Sequence, residues 1–387
     1  MLSRASKTGA AKLEFSAFGR GFRLQLATNQ RLAQAAAGSS VQLYTGTVEG
    51  APDSWARISI LDGLPRGMIW DGSELFIVDA APAGVNDGAA GTVMYKLSDA
   101  VLERGVSFGD DAVDVPRDPA ASYDALIGEL RARAQVQQGA VATQAVEISI
   151  LGDTAYLARY ANETQARDAI LTRLNNVDGI FSSQVGVALQ VVSVNIAGDH
   201  TSRLSDTTDS SALLDELGRL RQQTSTLSST GLTHLFTGRS LNGDTAGIAY
   251  SLALCSQRFA ASIAMAHNSV ALDTLITAHE IAHVFGAPHD GEDDCASTPQ
   301  GQFIMTPSIT TSVTSFSRCS LDEIDAVIDS YSCVEALAPP GPAPPTPPAP
   351  PPSENGGGGG GGGGSLDPLL LLLLLTLRVS GIRRPGQ

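Results

Sequence analysis

The chain has 387 residues, enough for two domains and a tail, with 25 Lys plus Arg against 40 Asp plus Glu and a formal net charge of −15. So acidic a surface argues against nucleic acid and against an anionic membrane face as partners, since both would repel it.

The first twenty residues contain no apolar h-region of signal-peptide length, so the expectation is that the natural start lies upstream. From Lys12 the sequence KLEFSAFGRGFRLQLATNQRL alternates apolar and polar residues as half-buried strands do. Val41 to Ala80 continues with short strands broken at Gly, Pro and Asp-Gly turns. These residues predict a small, mostly β domain, with a generic binding sandwich as the plainer reading. Residues 112–140 are polar and alanine-rich and read as a connector with a helix over Tyr123 to Gln135; Arg131 and Arg133 make it protease-sensitive, so a mature chain would begin near Val141.

VEISILGD, Val146 to Asp153, opens the next domain as a strand. An amphipathic helix follows over Thr164 to Asn176, then the strand GVALQVVSVNI, then a helix over Ser211 to Gln222 capped by Asp209 or Ser210. LTHLFTG, GIAY and ASIAMAH are further short strands before a largely buried helix over Ala271 to Phe285. The order βαβαβββα predicts an α/β (α+β) domain with helices packed on a mixed, twisted sheet. Ser320 and Glu323 form a capping box that predicts the start of a last helix, which Cys333 closes.

The chemistry concentrates in HEIAHVFGAPHD, His279 to Asp290. His279 and His283 stand one helical turn apart on one face, so they can hold one ion together. Gly286 can take the left-handed conformation at the helix C-cap, which turns the chain and brings His289 back as a third ligand. Three neutral imidazoles leave a fourth position for water, the mark of a catalytic rather than a structural zinc site. Glu280 stands beside that position as general base. At this composition the whole pattern arises by chance on the order of once in 10^5. His200, His234 and His267 read as structural or solvated, since the motif already supplies three ligands. Cys255, Cys295, Cys319 and Cys333 are even in number and lack CxxC spacing, which predicts two disulfides in an oxidising compartment and leaves three pairings open.

The extended HExxHxxGxxH, followed by FIMTP with Met305 as a methionine turn, resembles the metzincin metalloproteases. Asp290 after the third histidine resembles the adamalysin (reprolysin, ADAM-like) branch. The resemblance extends through LTHLFTGRSLNGDTAGIAYSLALCSQ and AHNSVALDTLITAHEIAH, and the N-terminal FSAFGRGFRLQL and YTGTVEGAPDSWARISILDGLPRGMI are similar to a reprolysin-type prodomain. It implies one catalytic Zn²⁺ on His279, His283 and His289, with Glu280 as base and Gly286, Asp290 and Met305 as structural neighbours. It also implies the pairings Cys255 with Cys333 and Cys295 with Cys319, and peptide binding by β-addition at an edge strand near Gly247 to Tyr250. The family's calcium site lacks its counterparts: Glu147 could match, but Gly231 stands where an aspartate is expected, so no calcium ligands are carried over. A family prodomain often holds the zymogen inactive through a cysteine, and no cysteine precedes Cys255. Latency here must then rest on steric blocking or on a carboxylate from the acidic stretch Asp110 to Asp118.

Ala338 to Pro352 is mostly proline, a semi-rigid spacer, and Gly356 to Gly364 is a flexible joint. The leucine run Leu369 to Leu377 ends at Arg378, with Arg383 and Arg384 beyond, and falls short of the ~20 apolar residues that span a bilayer. An ordinary anchor is the plain reading. The pattern more closely resembles the GlyGly-CTERM sorting tails of Gram-negative bacteria, which implies a rhomboid-like membrane protease as partner and a transiently inserted tail. The expected organisation is a prodomain and connector over 1–135, a metzincin domain over 141–335, a linker over 338–364 and a sorting or anchor segment over 365–387. The expected function is zinc-dependent cleavage of extracellular proteins. A zinc-binding surface adhesin without turnover is the alternative, and the intact Glu280 argues against it.

Overall fold

The computed structural model describes residues 2–4, 10–81, 91–100, 111–114, 142–243, 245–307 and 315–337. The connector helix expected over Tyr123 to Gln135 and everything after Leu337 lie outside them. The N-terminal unit is an antiparallel meander of eight strands in sequential order: β1 (Leu2–Arg4), β2 (Ala10–Ala17), β3 (Arg20–Thr28), β4 (Gln42–Val48), β5 (Ala51–Leu61), β6 (Leu64–Trp70), β7 (Leu75–Ala80) and β8 (Thr92–Lys96). In β3 the two-residue period buries Phe22, Leu24 and Leu26 and exposes their neighbours. Strand β5 is buried on both faces. Ala56, Ile58 and Ile60 fill the unit's own core, while Trp55, Arg57 and Ser59 face the second unit.

The second unit has a mixed sheet in the order β11-β10-β12-β14-β13-β9. Its members are β9 (Ala112–Asp114), β10 (Gln144–Gly152), β11 (Val187–Ile196), β12 (Leu232–Thr237), β13 (Gly247–Ser251) and β14 (Ala261–Met265), with β15 (Val334–Ala336) antiparallel on the start of β10. All ladders on that path are parallel except β13 on β14. Both faces of the sheet are covered, and β12 is buried at every residue, as a central parallel strand requires. Four longer helices accompany it: α1 (Glu163–Ile180), α2 (Ser210–Gln222), α3 (Val270–Phe285) and α4 (Arg318–Ile328).

Each helix starts on a side-chain cap. Asn162, Asp209, Ser269 and Ser317 accept from the N–H of Gln165, Ala212, Leu272 and Ser320. Helix α4 therefore begins at Arg318, not at the expected Ser320–Glu323 box, because the Ser317 hydroxyl reaches the Ser320 N–H first, at 3.0 Å. Helix α1 outruns its expected end at Asn176 and passes into a π-helical turn, Phe181–Val185, closed by Gly186. Its polar residues misled the period count because they are buried against the N-terminal unit: Asp178 takes Arg57 at 3.0 Å and Arg31 at 3.1 Å, and Asn175 takes Asn29 at 2.8 Å. One turn earlier Arg173 pairs with Asp273 of α3 at 2.5 Å, so a line of buried charge pairs runs from the N-terminal unit to the motif helix.

Two disulfides hold the C-terminal third, Cys255 to Cys333 and Cys295 to Cys319. The first ties the loop after β13 to the chain just before β15. The second ties the loop beyond His289 to α4, so the segment that carries the third histidine is closed at both ends.

Two expectations about the sheet need correction. Residues 112–114, expected as connector, form strand β9 of the second unit. In consequence β13 is not the outer strand among the described residues: β9 covers the edge expected at Gly247 to Tyr250, in register Ala249 to Ala112 and Ser251 to Asp114.

Candidate metal centre

Ser269 caps α3, and its apolar run buries every residue of the helix, so His279 and His283 emerge one turn apart in a closed interior. Gly286 stops the helix at φ 110°, where a side chain would be strained, and the chain turns back so that His289 arrives opposite them. Each imidazole is oriented through Nδ1. His279 donates to the Ile304 carbonyl at 2.7 Å, His283 to the Ala287 carbonyl at 2.8 Å, and His289 to the Glu292 carboxylate at 3.1 Å. An imidazole that donates from Nδ1 has a bare lone pair on Nε2.

Those Nε2 atoms converge: His279 lies 3.0 Å from His283 and 3.3 Å from His289. Two imidazoles that bind one tetrahedral zinc at ~2.0 to 2.1 Å have nitrogens about 3.3 Å apart. The Asp111 carboxylate completes the group, and the ligand atoms of Asp111, His279, His283 and His289 all lie within 4.8 Å of one another, buried. A ring of acceptors with no donor among them fits a divalent cation and little else, and three imidazoles with a carboxylate suit zinc. Burial pushes His279 down to about 4, which keeps its imidazole in the neutral, ligating form.

Glu280 follows His279 and is wholly buried, with neither carboxylate oxygen hydrogen-bonded. Burial first, and the charge of Asp111 second, raise its pKa well above the usual carboxylate range. The carboxylate lies against Gly247 of β13 so closely that a Cβ there would stand 2.4 Å from Oε1. The absence of a side chain at Gly247 lets β13 approach the Glu280 carboxylate this closely.

Residues 142–317 match the reprolysin model described as metallo-peptidase family M12, just under half of the chain. Over these residues the chain is similar to the M12 metallopeptidases. The human protein "A disintegrin and metalloproteinase with thrombospondin motifs 14" is 26% identical over 353 residues, covering 82% of this chain and 28% of that protein. The mouse "Disintegrin and metalloproteinase domain-containing protein 19" is 24% identical over 297 residues, covering 74% and 31%. The human "Disintegrin and metalloproteinase domain-containing protein 33" is 25% identical over 271 residues, covering 68% and 32%. The chain thus spans less than a third of the length of these relatives. M12 metallopeptidases are zinc enzymes, in keeping with the donor set of this site.

The turn at Ile304 and Met305 acts through its backbone. Ile304 orients His279, and the buried Met305 accepts the Asp290 N–H at 2.8 Å. Asp290 is itself buried, which raises its carboxyl, and it accepts a hydrogen bond from Ser320 of α4 at 3.4 Å. It therefore joins the His289 turn to the helix held by Cys295–Cys319. The other histidines stand apart from the metal group: His267 lies against Asp273 at 3.4 Å, His200 precedes a short 3-10 turn, and His234 accepts or donates at Ser262 at 2.8 Å. Gly231, expected as an aspartate in a calcium site, has no room for a side chain: a Cβ would lie 2.4 Å from Val146.

Of the acidic stretch Asp110 to Asp118, where a latency carboxylate is expected, Asp111 lies against all three imidazoles. Gly247 is expected at the substrate edge but its contact with Glu280 is not legible in sequence, nor is Glu292 beside His289, because an isolated Gly in a strand and an acid in a loop carry no metal-site pattern.

His234 gives the domain an acid-sensitive point. Burial pushes it down to about 3 in the folded state, against ~6.5 unfolded. Below ~6.5 the unfolded chain binds a proton that the folded one refuses, so stability is complete above that pH and falls as pH drops toward 3, by roughly 1.4 kcal/mol per unit. Urea unfolding of zinc-saturated protein at pH 7 and pH 5 should show this fall, and His234→Gln should flatten it. An unchanged slope in that variant would assign the acid sensitivity to other groups.

Proposed function

We propose that the chain is a zinc-dependent endopeptidase that cleaves extended segments of extracellular proteins, with Glu280 as its general base. The carrying observation is the pairing of three convergent lone-pair nitrogens with a buried, unpartnered carboxylate one residue along the same helix. Bound zinc would polarise the scissile carbonyl and acidify an attacking water. Glu280, once Asp111 has left, accepts that water's proton and returns it to the leaving amine. Strand β13 supplies the platform, since its Ala249 N–H, now bonded to the Asp111 carbonyl at 2.8 Å, is free to take a substrate backbone once residues 111–114 leave. Backbone pairing tolerates many side chains, which suits a protein substrate.

Export is part of the same reading. It rests on the two disulfides, on the curated relatives' metalloproteinase character and on the Gly-rich, Leu-rich tail, read as a sorting signal for a rhomboid-like protease at a Gram-negative surface. Among the described residues no helix is long and apolar enough to cross a membrane, and the tail lies outside them. The N-terminal unit over 1–135 acts as a prodomain, with the metallopeptidase domain following from about 141. Processed protein should carry one zinc per chain and hydrolyse unfolded casein. A chelator should abolish the activity and zinc should restore it. Zinc-loaded, processed protein that leaves casein intact would favour the adhesin instead.

A further inference from the structure

The reading of the site as a zinc peptidase leaves Asp111 unexplained, and on that reading we propose that Asp111 is the fourth ligand of a closed, latent zinc centre. Its carboxylate faces all three imidazoles: Oδ2 lies 3.3 Å from His279 Nε2, and Oδ1 lies 3.4 Å from His283 Nε2 and 2.8 Å from His289 Nε2. The side chain has no exposed surface; besides the imidazoles its polar neighbour is the Glu280 carboxyl, which adds no positive charge, and no backbone N–H or hydroxyl donates to either oxygen. A buried carboxylate without donors is costly unless a cation balances it, and the metal group found among the described residues is the one these three imidazoles share with it.

The backbone fixes this placement. The Ala249 N–H donates to the Asp111 carbonyl at 2.8 Å, and Ala112 to Asp114 run parallel to Ala249 to Ser251. The segment thus fills the cleft as a peptide would, yet it presents a side-chain carboxylate to the metal position. Its own carbonyl is held by β13, so no peptide bond is offered to Glu280 there. Four protein ligands make a closed site of the structural type, with the water position taken. The four cysteines of this sequence are held in the two disulfides, so none of them takes this position. The N-terminal unit keeps the segment in place: its Trp55 and Arg57 dock on α1, and tethering of this kind raises the effective concentration of a weak inhibitory contact.

The test uses the full chain and two probes, zinc itself and acetohydroxamate, a small chelating ligand for an open zinc position. In competition with a chromophoric chelator, Asp111→Ala and the shape-preserving Asp111→Asn should both bind zinc at least ~10-fold more weakly than wild type, as expected for loss of a metal-site partner. Both variants, zinc-saturated, should bind acetohydroxamate under conditions where wild type does not. Zinc affinity within about twofold of wild type in both variants, or hydroxamate binding equal to wild type, overturns the assignment. Failure of the underlying reading looks different: wild type itself would then hold no stoichiometric zinc.

Discussion

Replacing Glu280 with alanine should lower turnover of the processed enzyme by at least ~10²-fold while zinc stays bound. The two halves of that expectation come from one fact of helical geometry. Glu280 neighbours His279 in sequence but is not in the ring of converging ligand atoms, so its loss removes the proton acceptor and leaves the imidazoles in place. It also removes a wholly buried carboxylate whose pKa burial has raised, so the variant should be no less stable than wild type. Casein hydrolysis, zinc content and urea unfolding measured on one preparation check all three points. Turnover equal to wild type would reject the mechanism, and loss of zinc together with activity would make Glu280 a structural rather than a catalytic group.

Asp178→Ala should cost the full chain about 3 to 5 kcal/mol and loosen the N-terminal unit. Asp178 is buried in α1, where it balances Arg57 at 3.0 Å and Arg31 at 3.1 Å and accepts the Leu189 N–H at 3.2 Å. Alanine would leave Arg57 buried without its counter-charge, and burial already lowers that guanidinium below its ordinary range. The expected signature is an earlier urea transition together with easier proteolytic separation of the N-terminal unit. Arg57→Ala should cost less, because Asp178 keeps Arg31, and the double variant should fall well short of the sum. A single-variant loss under about 1 kcal/mol would mean that docking rests on Trp55 and its apolar neighbours instead.

Much of the site could be read along the chain because its chemistry is local. His279, Glu280, His283, Gly286 and His289 lie within one helix and the turn that ends it, so helical period and glycine conformation place them without knowledge of the rest. The strand and helix order of the second unit was legible for a related reason. Parallel strands buried on both faces are nearly continuous apolar runs, and amphipathic helices separate them. The polar face of α1 was misread because its Asn175 and Asp178 bond to residues more than a hundred positions away, and a polar residue buried by a partner looks in sequence like one facing water.

By itself the sequence determined the chemistry this protein can perform: a three-histidine donor set, a carboxylate beside it, and cysteines enough for two bridges. Only the tertiary structure decided the state in which that chemistry is held. Strand addition is made by backbone groups, which every residue carries, so nothing in the composition of residues 111–114 announces that they pair with β13. Which carboxylate of an acidic stretch meets the imidazoles depends on that register, and a one-residue slip would turn Asp111 to the opposite face.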